Sequence, residues 1–115
     1  MPSENIHVVT SAGDRAGLKV LHIKGPLTIH TIFGFQNAVR ADESPSLIVD
    51  FSGVPYIDSA GLGALVGAFI GAERAQRKLV FAAMNERVTA LLEMTHVSQV
   101  FKRYASVQEA EAAIS

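Results

Sequence analysis

The sequence predicts an α/β fold, a single domain made of a mixed four- to five-stranded sheet with about four helices packed on it. Three observations carry that expectation. Short apolar runs alternate along the chain with segments whose apolar residues recur every three or four positions, the marks of strand and helix in turn. The run Leu47-Ile48-Val49-Asp50-Phe51 is almost unbroken, which suits an interior strand covered on both faces by helices. With 49% hydrophobic residues in 115 and no cysteine, the chain has enough apolar surface for a core without disulfide or metal staples.

Ile6–Thr10 and Leu18–Lys24 read as a hairpin joined by the small and polar stretch Ser11–Gly17, whose tip is expected to be exposed and mobile. Gly25-Pro26 ends the second strand, because proline cannot donate to a ladder and restricts the residue before it. Thr28 is then placed as the cap of a helix with the stripe Ile29, Ile32, Phe33, Gln36 and Val39, stopped by Ser44-Pro45-Ser46. After the strand Leu47–Phe51, a Gly/Pro segment leads to Asp58-Ser59, directly before a second helix. That helix has its stripe at Leu62, Leu65, Val66, Phe69 and Ile70, with Glu73, Arg74, Arg77 and Lys78 near its far end. Lys78–Ala82 follows as another parallel strand, and Asn85 caps a helix carrying Val88, Leu91 and Leu92. Val100–Tyr104 reads as a short edge strand guarded by Lys102 and Arg103. Ser106-Val107-Gln108-Glu109 has the spacing of a capping box and opens a last helix with Ala110, Ala113 and Ile114. No repeat, low-complexity segment or internal linker interrupts residues 1–115, which are read as one domain.

Composition narrows the partners. A net charge of -1 and a pI near 6.4 give no broad basic surface, so direct binding to nucleic acid or to anionic lipid has little electrostatic support. The start Met1-Pro2-Ser3-Glu4-Asn5 has neither a basic nor an apolar signal region, and the lack of cysteine fits a reducing compartment, so a cytoplasmic location is expected. Ala60–Ala72 is apolar throughout but shorter than the about 20 residues that span a bilayer, so no membrane insertion is expected.

Enzyme and cofactor motifs are weak or missing. Ile57-Asp58-Ser59-Ala60-Gly61 lacks the first glycine of a nucleophile elbow, and His7, His22, His30 and His96 are the only candidate bases. Gly61-Leu62-Gly63 with Gly67 has the wrong final spacing for a dinucleotide fingerprint, and no Gly-Lys-Ser/Thr of a P-loop follows any of these glycines. No metal-ligand spacing occurs; His30 reads either as a ligand or, better, as a solvated histidine. The chain is therefore expected to be no enzyme, and to carry no cofactor and no metal.

Asp58-Ser59 has two readings. Both residue types are ordinary helix N-caps. The cap is the ordinary reading; a hydroxyl at a helix N-terminus, among orphan N–H groups and the positive end of the dipole, is also a favourable seat for a phosphate. Asp50, at the end of its strand, reads as a loop anchor or as part of a site at the strand ends. Gly63, Gly67 and Gly71 lie four apart, as do Ala60, Ala64, Ala68 and Ala72. Glycine within an exposed helix costs about 0.5–1 kcal/mol against alanine, so such rows call for close approach, by a partner or by a neighbouring element.

The stretch Asp58-Ser59-Ala60-Gly61-Leu62-Gly63, preceded by the strand ending at Asp50 and by Gly53-Val54-Pro55-Tyr56-Ile57, resembles the signature of STAS domains, specifically the bacterial anti-sigma factor antagonists. The resemblance covers nearly the whole chain, including Gly25-Pro26-Leu27 after the second strand. It implies that Ser59 is phosphorylated by the partner anti-sigma factor, an ATP-dependent serine kinase, and dephosphorylated by a dedicated serine phosphatase. In that scheme the unphosphorylated form binds the anti-sigma factor and frees the sigma factor, with Asp58, Ala60, Gly61, Leu62, Gly63, Gly67 and Thr28 as the partner-binding set. Family members often carry an acidic residue where Thr28 stands here, so the first helix and its approach loop are expected to make different partner contacts. STAS modules also serve as scaffolds and transport-complex subunits, and in that alternative Ser59 is only a helix cap.

Overall fold

The computed structural model describes residues 5–114, so Met1–Glu4, on which the signal-peptide reading rests, lie outside the described residues. Its elements run β1 (His7–Ala12), β2 (Leu18–Lys24), α1 (Ile32–Ala41), β3 (Ser46–Gly53), α2 (Ser59–Arg74), β4 (Lys78–Ala82), α3 (Glu86–Met94), β5 (Arg103–Tyr104) and α4 (Val107–Ala113). The strands form one mixed sheet in the order β1-β2-β3-β4-β5, with β1 antiparallel to β2 and every other pairing parallel. The expected α/β architecture stands.

β3 is central, and Leu47, Ile48, Val49 and Phe51 are all fully buried, as an apolar run covered on both faces requires. Alternation along the strands sorts the core into two layers. Leu21, Ile23, Leu47, Val49, Phe51, Leu79 and Phe81 point to the layer shared with α1, α2 and α3. Val20, Ile48, Val80 and Ala82 point the other way, to Ala110 and Ile114 around α4. Edge-to-face aromatic contacts tie the larger layer together, with ring centroids 5.8 Å apart for Phe51–Phe81, 5.2 Å for Phe81–Phe101 and 5.8 Å for Phe69–Phe101.

Several expectations need correction. Helix α1 begins at Ile32 rather than after Thr28, because the Thr28 side chain accepts from the His30 N–H (3.2 Å) and its carbonyl accepts from both Thr31 and Ile32, closing a turn. Thr31, the actual cap position, turns its hydroxyl back to the Pro26 carbonyl (2.8 Å) and accepts from the Thr28 N–H (2.9 Å). His30 is thus exposed in that turn, not on a helix. The inward stripe becomes Ile32, Phe35 and Val39, with Phe35 fully buried and Phe33 68% exposed. Strand β5 keeps only two residues of the expected five, pairing Arg103 and Tyr104 with Phe81 and Ala82. The hairpin tip is exposed as expected, yet it is tied down: Arg15 donates to the carbonyls of Glu111 and Ile114, and Glu111 accepts from the Asp14 N–H (2.9 Å).

The caps of α3 and α4 follow the sequence. Asn85 accepts from the Val88 N–H (2.9 Å) and donates to the carbonyls of Val54 and Pro55, so α3 is fastened to the loop after β3. Ser106 accepts from the Glu109 N–H (3.1 Å), while the Glu109 carboxylate reaches the Ala105 N–H, one residue before the cap. No helix is long and apolar enough to cross a membrane, and no group of residues that could hold a metal ion occurs among the described residues.

Candidate functional site

Two loops meet at the start of α2. Leu27, fully buried, bridges in parallel to Ile57, donates to the Tyr56 carbonyl (3.1 Å) and accepts from the Asp58 N–H (3.2 Å). The approach to this bridge turns on Gly25, whose φ of +110° lies in the region that favours glycine. The segment after β2 is thereby zipped to the segment after β3, and α2 starts beside it.

Asp58 is the N-cap, in extended conformation with φ −108° and ψ −173°. One carboxylate oxygen accepts from the Gly61 N–H (2.8 Å), and the other accepts from the Ile29 N–H (3.1 Å). A single side chain therefore caps α2 and fixes the position of the Ile29 backbone. Ser59 is the first helical residue and is exposed; its hydroxyl has no partner among the described residues. The cap bond goes to Gly61, and the N–H groups of Ser59 and Ala60 have no hydrogen-bond partner among the described residues. The arrangement presents a free nucleophilic oxygen at the positive end of a 16-residue helix.

The predicted partner-binding residues divide. Gly63 and Gly67 are exposed on α2, Ala60 is half-buried, and Leu62 is half-buried and packs against the core; Gly63, Gly67 and Gly71 would each accept a Cβ with nothing within 4 Å. Their row opens to solvent, which decides against a neighbouring element of the same domain. The alanine row differs, with Ala64 and Ala72 both 4% exposed in the core. Gly61 is buried, and a Cβ there would stand 2.2 Å from the Leu27 carbonyl oxygen, so glycine at 61 is required by packing. Thr28 is only 5% exposed and its hydrogen bonds shape the turn before α1, so its side chain offers little contact surface. What the stripe assignment missed are Ile29, 56% exposed next to Asp58, and Phe33, one turn further along. The helix starts at Ile32, after the Thr28–Thr31 turn, so Ile29 stays outside it and Phe35 takes the inward place expected for Phe33.

Asp50 does not join this site. It is 8% exposed inside β3, which runs on to Gly53 instead of ending at Asp50, and it accepts from the Ser52 N–H (2.9 Å) and from His22 Nδ1 (2.7 Å). Burial pushes its carboxyl up, and the Ser52 backbone, His22 and the Ser52 hydroxyl outweigh that push, leaving it below its ordinary 3.8. His22 Nε2 in turn meets Ser11 Oγ at 2.8 Å. This Ser-His-Asp run lies laterally across β1, β2 and β3, where His22 faces Asp50 in register, and none of its hydrogen bonds reaches Ser59.

The STAS domain profile matches residues 8–110 of this chain. The anti-sigma-B factor antagonist of Listeria monocytogenes is 38% identical over 63 residues, a match covering 55% of this chain and 55% of that protein, so the chain spans about half the length of this relative. The anti-sigma-B factor antagonist of Staphylococcus aureus is 24% identical over 94 residues, covering 79% of this chain and 85% of the relative. Among solved structures, an anti-sigma factor antagonist from Mycobacterium paratuberculosis superposes with a TM-score of 0.80 at 22% identity, covering 95% and 93% of the two chains. The anti-sigma factor antagonist SpoIIAA in its unphosphorylated form gives 0.70 at 16% identity, covering 90% of this chain and 92% of that one. At these identities the superpositions speak for the fold. The sequence profile extends from β1 into α4, and the protein belongs to the STAS domain family.

Proposed function

We propose that the protein is an anti-sigma factor antagonist, a binding module rather than an enzyme, whose docking on an anti-sigma factor serine kinase is switched by phosphorylation of Ser59 and reset by a serine phosphatase. The observation that carries this reading is the Ser59 hydroxyl, exposed and unpartnered at the first position of α2 while Asp58 holds the helix start in place. The names of the curated relatives support the partner class. Around the hydroxyl, Ile29, Phe33, Ala60, Leu62 and the open glycine row offer an apolar, small-residue surface on which a partner can come close to the helix backbone. A phosphoryl group on Ser59 would add about −1.5 to −2 charges to that surface at pH 7. Asp58 is already negative there, so the added charge repels an acidic partner surface and is costly to bury against an apolar one.

Mass spectrometry of the protein co-produced with its candidate kinase and ATP, beside Ser59→Ala, tests the reading. A single phosphate on Ser59, absent from the variant, with loss of kinase binding on phosphorylation, is expected. An unmodified protein beside a demonstrably active kinase would refute it in favour of a constitutive scaffold or transport-complex subunit in which Ser59 only starts a helix.

A further inference from the structure

A hollow lies at the β5 edge of the sheet. Parallel sheets gather ligands at the carboxyl ends of their strands, and an open hollow of about 370 Å³ sits at the ends of β4 and β5, bounded by Met84, Thr89 of α3, Ser98, Phe101 and Arg103. Arg103 is a half-buried residue, and its guanidinium has no ion-pair or hydrogen-bond partner among the described residues. Thr89 and Ser98 are half-buried residues too, and their hydroxyls are likewise without a partner among the described residues. None of the lining residues is acidic. Three donors thus line one concavity, one of them a cation whose planar fork matches a phosphate oxygen pair. Partial burial of an unpaired charge is unfavourable, and a small oxyanion relieves it.

We propose that the hollow between α3, the segment 95–102 and β5 binds a small phosphate-class oxyanion, with Arg103 as the charged donor and the Thr89 and Ser98 hydroxyls as neutral donors. Its apolar floor, Met84 and Phe101, leaves room for a carbon substituent, so free phosphate and a phosphomonoester share the same recognition. The site stands on its own residues and does not depend on the role assigned to Ser59.

Titration of the ¹⁵N-labelled full chain with inorganic phosphate, at ionic strength held constant with chloride, reads the site directly. Saturable shifts confined to Thr89, Ser98 and Arg103 are expected. Loss of a charged hydrogen bond predicts about tenfold or greater weakening in Arg103→Gln, with Arg103→Lys between the two. Arg87→Gln, on α3 but stacked over Tyr56 instead, leaves the titration unchanged. A parallel titration with glycerol phosphate separates the sources: tighter binding assigns an organic phosphomonoester, and equal binding assigns free phosphate. Shifts that stay linear, or that survive Arg103→Gln unaltered, overturn the proposal. Should Arg103→Gln lose its dispersed spectrum, Ser98→Ala carries the test; weakened binding supports the site, and unchanged binding overturns it.

Discussion

Substituting glycine by alanine at two positions of the same helix should move stability in opposite directions. At Gly67 a Cβ meets nothing within 4 Å, so Gly67→Ala gains only the backbone entropy and helix propensity of alanine, about 0.5–1 kcal/mol. At Gly61 the same atom would stand 2.2 Å from the Leu27 carbonyl oxygen, 3.0 Å from its carbon and 3.2 Å from Ile57 Cβ. Non-bonded heavy atoms want roughly 3.5 Å, so the helix start has to retreat by about an ångström. That retreat pulls on the Asp58 N–H to Leu27 bond and on both carboxylate bonds of the cap. Overpacking costs about 1–3 kcal/mol and a weakened cap about 1 kcal/mol, against at most about 1 kcal/mol gained from propensity. A net loss of about 1–3 kcal/mol is the outcome for Gly61→Ala, or roughly 4–12 °C in Tm for a domain of this size. Urea and thermal unfolding of both variants beside the parent measure it. A Gly61→Ala protein as stable as Gly67→Ala would refute the close approach of α2 to the Leu27 loop, and with it the stated geometry around Ser59.

Phe33→Ser should leave the midpoint of urea unfolding within about 0.5 kcal/mol of the parent, since the ring is largely in solvent, while weakening capture of the kinase partner; a large loss of stability would place the ring in the core. Ser59→Ala should likewise unfold like the parent, because Asp58 and not Ser59 caps α2. Asp50→Asn should destabilise at neutral pH and lose its effect in acid. A carboxyl whose folded value lies below the ordinary 3.8 contributes stability fully present above that value, and the contribution disappears as pH falls through the folded one. Urea midpoints for parent and variant from pH 7 down to the acid limit should converge, and a constant gap would exclude the Ser52 and His22 bonds as its source. Phe81→Ala, which removes one of the two inner rings of the four-ring aromatic chain, should cost about 3–5 kcal/mol by the same assay.

How much of this was legible in the residues depends on how local each signal is. Asn85, Asp58 and Ser106 were readable as caps because a cap bond spans three residues, and all three make it. The β3 run was readable because burial on both faces leaves no alternation to misjudge. The α1 face was not: Ile29, Ile32, Phe33 and Gln36 fit a helical stripe as well as Ile32, Phe35 and Val39 do. What selects the second is the Thr28–Thr31 turn, which delays the helix and leaves Ile29 outside it. The two kinds of glycine in α2 were indistinguishable for a related reason. Gly61 differs from Gly63 and Gly67 only because the Leu27 carbonyl passes over it, and the Leu27–Ile57 bridge joins segments thirty residues apart.

That bridge also bears on how the proposed switch would work. The start of α2 is held by bonds that do not involve Ser59: Asp58 to Gly61, Asp58 to Ile29, and Leu27 to Tyr56 and Asp58. A phosphoryl group added at Ser59 finds two open backbone N–H groups and the helix dipole, which favour it, and the Asp58 carboxylate, which does not. Since both carboxylate oxygens already accept hydrogen bonds, Asp58 has little to gain by moving away, and the modified surface becomes more negative without losing its frame. Local repulsion of a docked partner, rather than refolding, is then the expected consequence. Hydrogen exchange distinguishes the two: protection across β3, β4 and α2 should be the same in the phosphorylated and unmodified protein. Loss of protection in α2 on phosphorylation would show that the cap yields, and that the switch works by releasing the helix start instead.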